Sequence, residues 1–169
     1  MAYVLDANVF IAAKNLHYGF DFCPAFWDWL IAKGLTGDVI SIDRVENEVI
    51  ALGDDLSRWA SNEGKALFEP VDAAVVPSLG VVSAWANAQR PDGLRYEPGA
   101  ISTFLQSADY YLVAKAHAGQ HVVVSHEVAS PSVKKIKIPD ACIGLGIRFM
   151  TPYEMLRRER ARFVLGKKP

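Results

Sequence analysis

The chain has 169 residues, a formal net charge of −1, and hydrophobic residues at 51% of its length. These values predict one domain with a single sizeable core. No apolar run is long enough to span a membrane. The net charge excludes the global basic field that marks many nucleic-acid binders. The start, M-A-Y-V-L-D, lacks the basic and apolar segments of a signal peptide, so we expect a cytoplasmic protein.

The first half of the chain predicts short helices after one apolar strand. The strand covers residues 3–5 and Asp6 follows it, while Asn8 is a favoured residue for capping the next helix. Proline at the start, glycine at the end and apolar spacing define the helices. They are predicted over residues 9–14, 24–34, 43–52 and from 54 or 55 to 59, and residues 68–70 are predicted as a connection.

The second half alternates helices with two further strands. Pro77 and Gly80 interrupt a helical pattern, whereas the strongest helical pattern runs over residues 98–118. The remaining elements are predicted over residues 73–89 (helix), 121–125 (strand), 141–145 (helix), 148–150 (strand) and 152–160 (helix). This alternation is typical of an α/β fold whose parallel sheet is covered on both faces. The active site of such a sheet lies beyond the carboxyl ends of the strands.

Four acidic residues stand at the predicted edges of these elements: Asp6, Glu48, Asp109 and Glu127. Buried carboxylates need a positive partner, and several that converge repel one another. An all-oxygen pocket suits Mg²⁺ or Mn²⁺, and paired ions of this kind cleave phosphodiesters. The sequence therefore predicts a metal site if the four side chains meet.

Asp6 and the glutamates of the third helix also have ordinary structural explanations. Asp6 could cap a helix, although Asn8 competes for that role. Helical periodicity does not choose between Glu46 and Glu48, and either could be a solvated surface residue.

The other two acids have alternatives of the same kind. Asp109 could pair with Lys115, or act as a cap at a break in the helix near Ser107. Glu127 could be a loop carboxylate in water. The histidines lack zinc-ligand spacing, and among them only His126, beside Glu127, is kept as a minor candidate.

Positive charge gathers in two places, and phosphate attraction and a solvated surface explain it equally well. One cluster is Lys134, Lys135 and Lys137. The other lies in the last fifteen residues: Arg157, Arg158, Arg160, Arg162, Lys167 and Lys168.

Four segments together resemble the PIN-domain nucleases. They are Asp6-Ala7-Asn8, the V-x-x-E of residues 45–48, the D-x-x-h-x-A-x-A of residues 109–116 (h apolar), and Ser125-His126-Glu127. The V-x-x-E register selects Glu48 over Glu46. Residues 137–156, which begin K-I-P-D-A-C, look like a bacterial PIN-like branch. The resemblance covers nearly the whole chain.

The resemblance implies a three-layer α/β/α PIN-like fold with a central, mainly parallel sheet, as a single domain over residues 1–169. A basic helix end and tail would begin at about residue 155. It implies a metal-dependent endoribonuclease that cleaves single-stranded RNA and forms the toxin half of a toxin–antitoxin pair.

The same resemblance assigns roles to residues. Asp6, Glu48 and Asp109 would bind Mg²⁺ or Mn²⁺, and Glu127 would bind a second ion or orient the attacking water. Ser125 and Asn8 would hold carboxylates in place. The expected RNA contacts are Lys134, Lys135, Lys137, Arg157 and Arg158.

The expected partners besides RNA are an antitoxin protein and a second copy of the chain. A homodimer is suggested because Phe26, Trp27 and Trp29 crowd one short helix.

The chain departs from the PIN pattern at three residues, and two of them, Ala7 and Glu127, motivate a rival. Ala7 lacks a hydroxyl, Ser125 replaces threonine, and Glu127 replaces aspartate with an arm one methylene longer. The rival is a catalytically lapsed PIN-like module that binds RNA or protein. A phosphohydrolase of the haloacid-dehalogenase type ranks lower, because its second aspartate would stand where this chain has Asn8.

Overall fold

Residues 1–164 are described in a computed structural model of the chain, which holds five strands in a single sheet. The strands are β1 (Tyr3–Leu5), β2 (Val39–Ile42), β3 (Phe68–Glu69), β4 (Val122–Val124) and β5 (Phe149–Met150). Their spatial order is β3-β2-β1-β4-β5, and every neighbouring pair is parallel. The predicted α/β class with a parallel sheet is therefore confirmed.

Helices separate the strands along the chain. Over residues 1–164 they are α1 (Ala7–Ala12), α2 (Pro24–Leu35), α3 (Asp43–Ile50), α4 (Asp55–Ser61), α5 (Val76–Asn87), α6 (Pro98–Gln106), α7 (Ala108–Gly119), α8 (Ile138–Leu145) and α9 (Pro152–Arg158). A π-helical turn, Ala13–His17, extends α1. None of the helices in these residues is both long and apolar enough to cross a membrane.

The strands carry apolar side chains that are buried on both sides of the sheet. Every residue of β2 and β4 is buried, although successive side chains point to opposite faces. Continuous apolar strands of this kind occur where helices cover both faces of a parallel sheet. The arrangement is the three-layer α/β/α fold that the sequence predicted.

The order in which the chain adds strands to the sheet reverses at β1. The chain adds β2 and β3 on one side of β1 and then places β4 and β5 on the other. Leu5 of β1 pairs with Val124 of β4, and the Asp6 N–H donates to the Val124 carbonyl at 3.1 Å. The carboxyl ends of these two strands therefore lie side by side, at the point where α/β sheets bind ligands.

The helix predicted over residues 98–118 is two helices, and they divide at Ser107, where the sequence analysis had left a break open. Ser107 has φ −83° and ψ 162°, which is extended backbone, and it separates α6 from α7. Its hydroxyl donates to the Phe104 carbonyl at 2.7 Å. Asp109 consequently lies in the first turn of α7, rather than in the middle of a helix.

Other element boundaries also differ from the predictions. Helix α1 begins at Ala7, with Asp6 at the N-cap position, so Asn8 lies inside the helix and does not cap it. Strand β2 was not predicted, and β3 occupies two residues of the expected connection at 68–70.

The aromatic crowding on α2 is explained by packing within the chain. Phe26 and Trp27 are buried, and Trp27 stacks on Phe20 with ring centroids 4.1 Å apart. Trp29 is half-buried and lies against Phe163 at 6.5 Å. Phe26 and Trp27 therefore have partners inside the chain, while Trp29 keeps part of its surface exposed, and the homodimer stays a prediction.

Candidate active site

The four predicted acids come together at the carboxyl edge of the sheet. Asp6 directly follows β1, Glu127 is the third residue after β4, and α3 and α7 supply Glu48 and Asp109. Burial first, and then the negative charges of Asp6, Glu127 and Glu48, raise the pKa of Asp109 to about 7. Since each of the three acts on this carboxyl group, all four lie within one electrostatic cluster.

Asp6 is the most deeply buried of the four, with 3% of its surface exposed. Its Oδ2 accepts a hydrogen bond from the Ser125 hydroxyl at 3.0 Å. Burial raises its pKa and the charge of Glu127 adds to this, while Ser125 and the backbone N–H groups of Ala7 and Asn8 lower it, for a result of about 6. Although Asp6 stands at the N-cap position of α1, its side chain makes no regular capping hydrogen bond.

Glu48 reaches the cluster from the last turns of α3. Val45 and Val49 are buried on that helix, which places Glu48 at the rim of the core with an exposed side chain. Partial burial raises its pKa, and the backbone N–H of Ala108, at the start of α7, lowers it. Glu48 therefore lies beside the α7 N-terminus, where the helix dipole favours a carboxylate.

Ser125 joins two of the acids. Its hydroxyl donates to Asp6 and accepts from the Glu127 backbone N–H at 3.0 Å. This is the supporting role expected from the sequence. Asn8 is exposed, and it acts on Asp6 through its backbone N–H alone. In residues 1–164, its side-chain amide makes no hydrogen bond to a carboxylate.

Glu127 has both carboxylate oxygens engaged by the protein. Oε1 accepts from Lys137 Nζ at 2.9 Å, and Oε2 accepts from the backbone N–H of Ile138 at 2.9 Å. Ile138 is the first residue of α8, so the carboxylate lies at a helix N-terminus. Glu127 is thereby held in place, and its charge is offset by a lysine that the sequence had assigned to RNA.

The two other lysines of this loop differ in position. The positive charge of Lys135 lowers the pKa of Asp109, so Lys135 lies within reach of the carboxylates. Lys134 is exposed, and its backbone N–H donates a hydrogen bond to the Ser132 hydroxyl at 3.1 Å. Among these three lysines, Lys135 and Lys137 therefore belong to the acidic cluster.

The two arginines of α9 lie beside different residues. The charge of Arg158 acts on Tyr3, the first residue of β1, at the amino end. Arg157 instead lines a groove with Tyr18 and Tyr153. Lys167 and Lys168 of the expected basic tail lie outside the described residues.

The donor set fits a hard divalent cation, although the side chains do not yet form a cage. Nowhere in residues 1–164 do three His, Cys, Asp or Glu side chains already converge on one metal position. Glu127 is occupied by Lys137, and carboxylates without a cation repel one another. Asp6, Glu48 and Asp109 remain, and carboxylate oxygens are the ligands that Mg²⁺ and Mn²⁺ prefer. All three therefore supply the oxygen donors that such an ion requires, although they come from separate elements.

Two features of the site were not predicted. One is the Lys137–Glu127 pair, and the other is a group of rings formed by His17, His126 and Tyr153. The ring centroids lie 5.5–5.8 Å from one another, and His126 is the residue before Glu127. Their positions are far apart in sequence and follow no period, so only the retention of His126 as a minor candidate pointed to them.

The fold and the site define an α/β protein with an acidic cluster at the switch point of a parallel sheet. Residues 3–163 match a family described as a domain of unknown function, DUF4411, and the chain belongs to that family. Comparisons with curated proteins and with solved structures found no match.

Proposed function

We propose that this protein is a metal-dependent endoribonuclease that cleaves single-stranded RNA. The observation that supports the proposal most is the meeting of Asp6, Glu48 and Asp109 beside Glu127 at the sheet's switch point. Structural carboxylates are normally paired with cations or solvated. Asp109 instead has its pKa raised to about 7 by burial and by three like charges, which is typical of functional sites.

The chain's own residues would act as follows. Asp6, Glu48 and Asp109 would hold Mg²⁺ or Mn²⁺, which when bound activates water and stabilises charge on the scissile phosphate. Ser125 fixes the orientation of Asp6 through their hydrogen bond at 3.0 Å. Glu127, anchored by Lys137, would position these groups instead of holding a second ion.

The choice of RNA and the cellular role extend this proposal. The order of the acids along the chain resembles that of PIN nucleases, for which single-stranded RNA and a toxin–antitoxin role are expected. Lys135 supplies positive charge at the rim, where a phosphate would approach. As a toxin, the protein should arrest growth when its synthesis is induced, and Asp6→Asn should abolish the arrest.

The direct test is the digestion of an end-labelled single-stranded RNA. The wild type should cut it with Mg²⁺ or Mn²⁺, stop when a chelator is added, and leave 5′-phosphate ends. Asp6→Asn should not cut. Asp38→Asn is the matched control, since Asp38 is exposed and pairs with Lys33 before the start of β2. Equal cutting by the wild type and Asp6→Asn would contradict the proposal.

A catalytically lapsed binding module is the second candidate, and the Lys137–Glu127 pair at 2.9 Å favours it. A lysine on one of four acids reduces the negative charge available to a cation. Calorimetric titration of Mn²⁺ into the metal-free protein separates the two. A lapsed module would bind RNA without metal and would take up Mn²⁺ weakly or not at all, whereas a nuclease would bind the ion through Asp6, Glu48 and Asp109.

A further inference from the structure

Three rings from separate elements meet beside the carboxylates. His17 ends the π-helical turn after α1, His126 follows β4, and Tyr153 lies in the first turn of α9. The Tyr153 ring is 5.5 Å from that of His17 and 5.8 Å from that of His126. The Tyr153 hydroxyl and His17 Nε2 are 2.9 Å apart, within hydrogen-bond distance. The group, here called the ring cluster, is therefore held as one unit.

The ring cluster adjoins the acidic cluster through the chain itself. His126 stands between Ser125, which bonds to Asp6, and Glu127, which bonds to Lys137. Tyr153 lies at the same edge, because α9 begins directly beyond the carboxyl end of β5, and the His17 ring is 5.7 Å from that of His126. A ligand whose reactive group lies at the acids would place its neighbouring group on these rings.

The ring cluster is open to solvent and continues into a groove. Tyr153 is 36% exposed, and both histidines are half-buried. Beyond Tyr153, a groove of about 220 Å³ is lined by Tyr18, Arg157 and Phe163 among others. Aromatic rings followed by a guanidinium group are the features by which proteins hold single-stranded nucleic acid, since bases stack on rings and arginine contacts phosphate.

We propose that the ring cluster and Arg157 form a subsite for the nucleotide next to the scissile phosphate of single-stranded RNA. Its base stacks on Tyr153 against the two histidines, and its outer phosphate contacts Arg157. A base in a duplex has its faces covered by neighbours, so this subsite selects unpaired strands. This subsite rests on the proposed nuclease function, because that function places the scissile phosphate at the acidic cluster.

The test measures RNA binding without cleavage. Binding of a fluorescent single-stranded RNA octamer is measured in chelator, with Asp109→Asn as the parent protein. Adding Tyr153→Ala should weaken binding by about five- to hundredfold, the range for loss of one base–aromatic stack. Tyr153→Phe keeps the ring and should bind within about twofold of the parent. Circular dichroism checks that each variant folds.

Two neighbouring arginines give a matched control for the phosphate contact. Arg157→Ala should weaken binding and reduce the dependence of log Kd on log salt by about 0.7, the value for one phosphate on a single strand. Arg158→Ala removes the same charge from the same helix, but Arg158 acts on Tyr3 and does not line the groove. It should leave the salt dependence unchanged. Equal effects of the two substitutions would overturn the Arg157 contact.

The outcomes separate this subsite from the nuclease proposal. Cleavage with metal that does not depend on Tyr153, together with equal RNA binding by Tyr153→Ala and its parent, overturns the subsite and leaves the nuclease standing. Ring-dependent binding without any cleavage by the wild type supports the subsite and contradicts the nuclease. A parent protein that binds no single-stranded RNA overturns the subsite.

Discussion

Replacing Asp109 with asparagine should stabilise the metal-free protein at alkaline pH. Folding raises the pKa of this carboxyl group from 3.8 to about 7, by burial first and then by three neighbouring acids. An acid with a raised pKa stabilises the folded state only while it stays protonated. Stability is therefore greatest below about pH 4 and falls as the pH rises through 7.

The size of the effect follows from the shift in pKa. At 1.36 kcal/mol per unit, the upper limit is roughly 4 kcal/mol of unfolding free energy above pH 8. The carboxyl group is partly open to water, and solvent screening reduces this figure to about 2 kcal/mol. Asp109→Asn should gain that amount at pH 8, which corresponds to about 4–8 °C in Tm. At pH 4, its gain should fall below about 1 kcal/mol.

Urea unfolding in chelator at the two pH values measures this difference. Asp140→Asn is a control of opposite sign, because the Asp140 carboxylate accepts backbone hydrogen bonds from Ser130 at 2.8 Å and Lys137 at 3.1 Å. Losing one of these bonds should lower stability by about 1 kcal/mol. If Asp109→Asn were less stable than the wild type at pH 8, Asp109 would be a structural residue and the reasoning would be refuted.

Three other substitutions or modifications test neighbouring parts of the structure. Lys137→Ala leaves the Glu127 carboxylate without its cationic partner and removes a charge that repels cations, so calorimetry should show Mn²⁺ binding about three- to tenfold tighter. Weaker Mn²⁺ binding would contradict this effect of the ion pair. Ser125→Ala removes a hydrogen bond that lowers the pKa of Asp6, so Mn²⁺ binding should weaken more at pH 6 than at pH 8; an equal loss at both would refute this role. Burial raises the pKa of the Cys142 thiol to about 12, so a thiol reagent at pH 8 should label it only in urea, and rapid labelling of the native protein would contradict its buried position.

The meeting of the acids could be predicted because it follows from local rules. Strands that end in buried apolar residues are recognisable, and parallel strands place their carboxyl ends at one edge of the sheet. Asp6 and Glu127 were assigned to that edge on this ground. The start of α4 could be predicted in the same way from its capping residue. The Asp54 carboxylate accepts hydrogen bonds from the N–H groups of Leu56 and Ser57, and α4 begins at the next residue.

The features that were not predicted depend on distant contacts or on the backbone alone. Apolar spacing continues from Phe104 through Leu112, so it hides the break that extended backbone at Ser107 makes between α6 and α7. Strand β3 has two residues and owes its conformation to pairing with β2. The ion pair of Lys137 with Glu127 spans ten positions, and no helical or strand period connects such residues.

We propose that the carboxylates of Asp6, Glu48 and Asp109, which come from separate elements, share one divalent cation. Titration of Mn²⁺ into two matched variants tests this proposal most directly. Glu46 and Glu48 lie on the same helix, but it is Glu48 whose charge raises the pKa of Asp109. We expect wild type and Glu46→Gln to bind Mn²⁺ alike, and Glu48→Gln to bind it at least about tenfold more weakly. Equal binding by both variants, or no binding by the wild type, would contradict it.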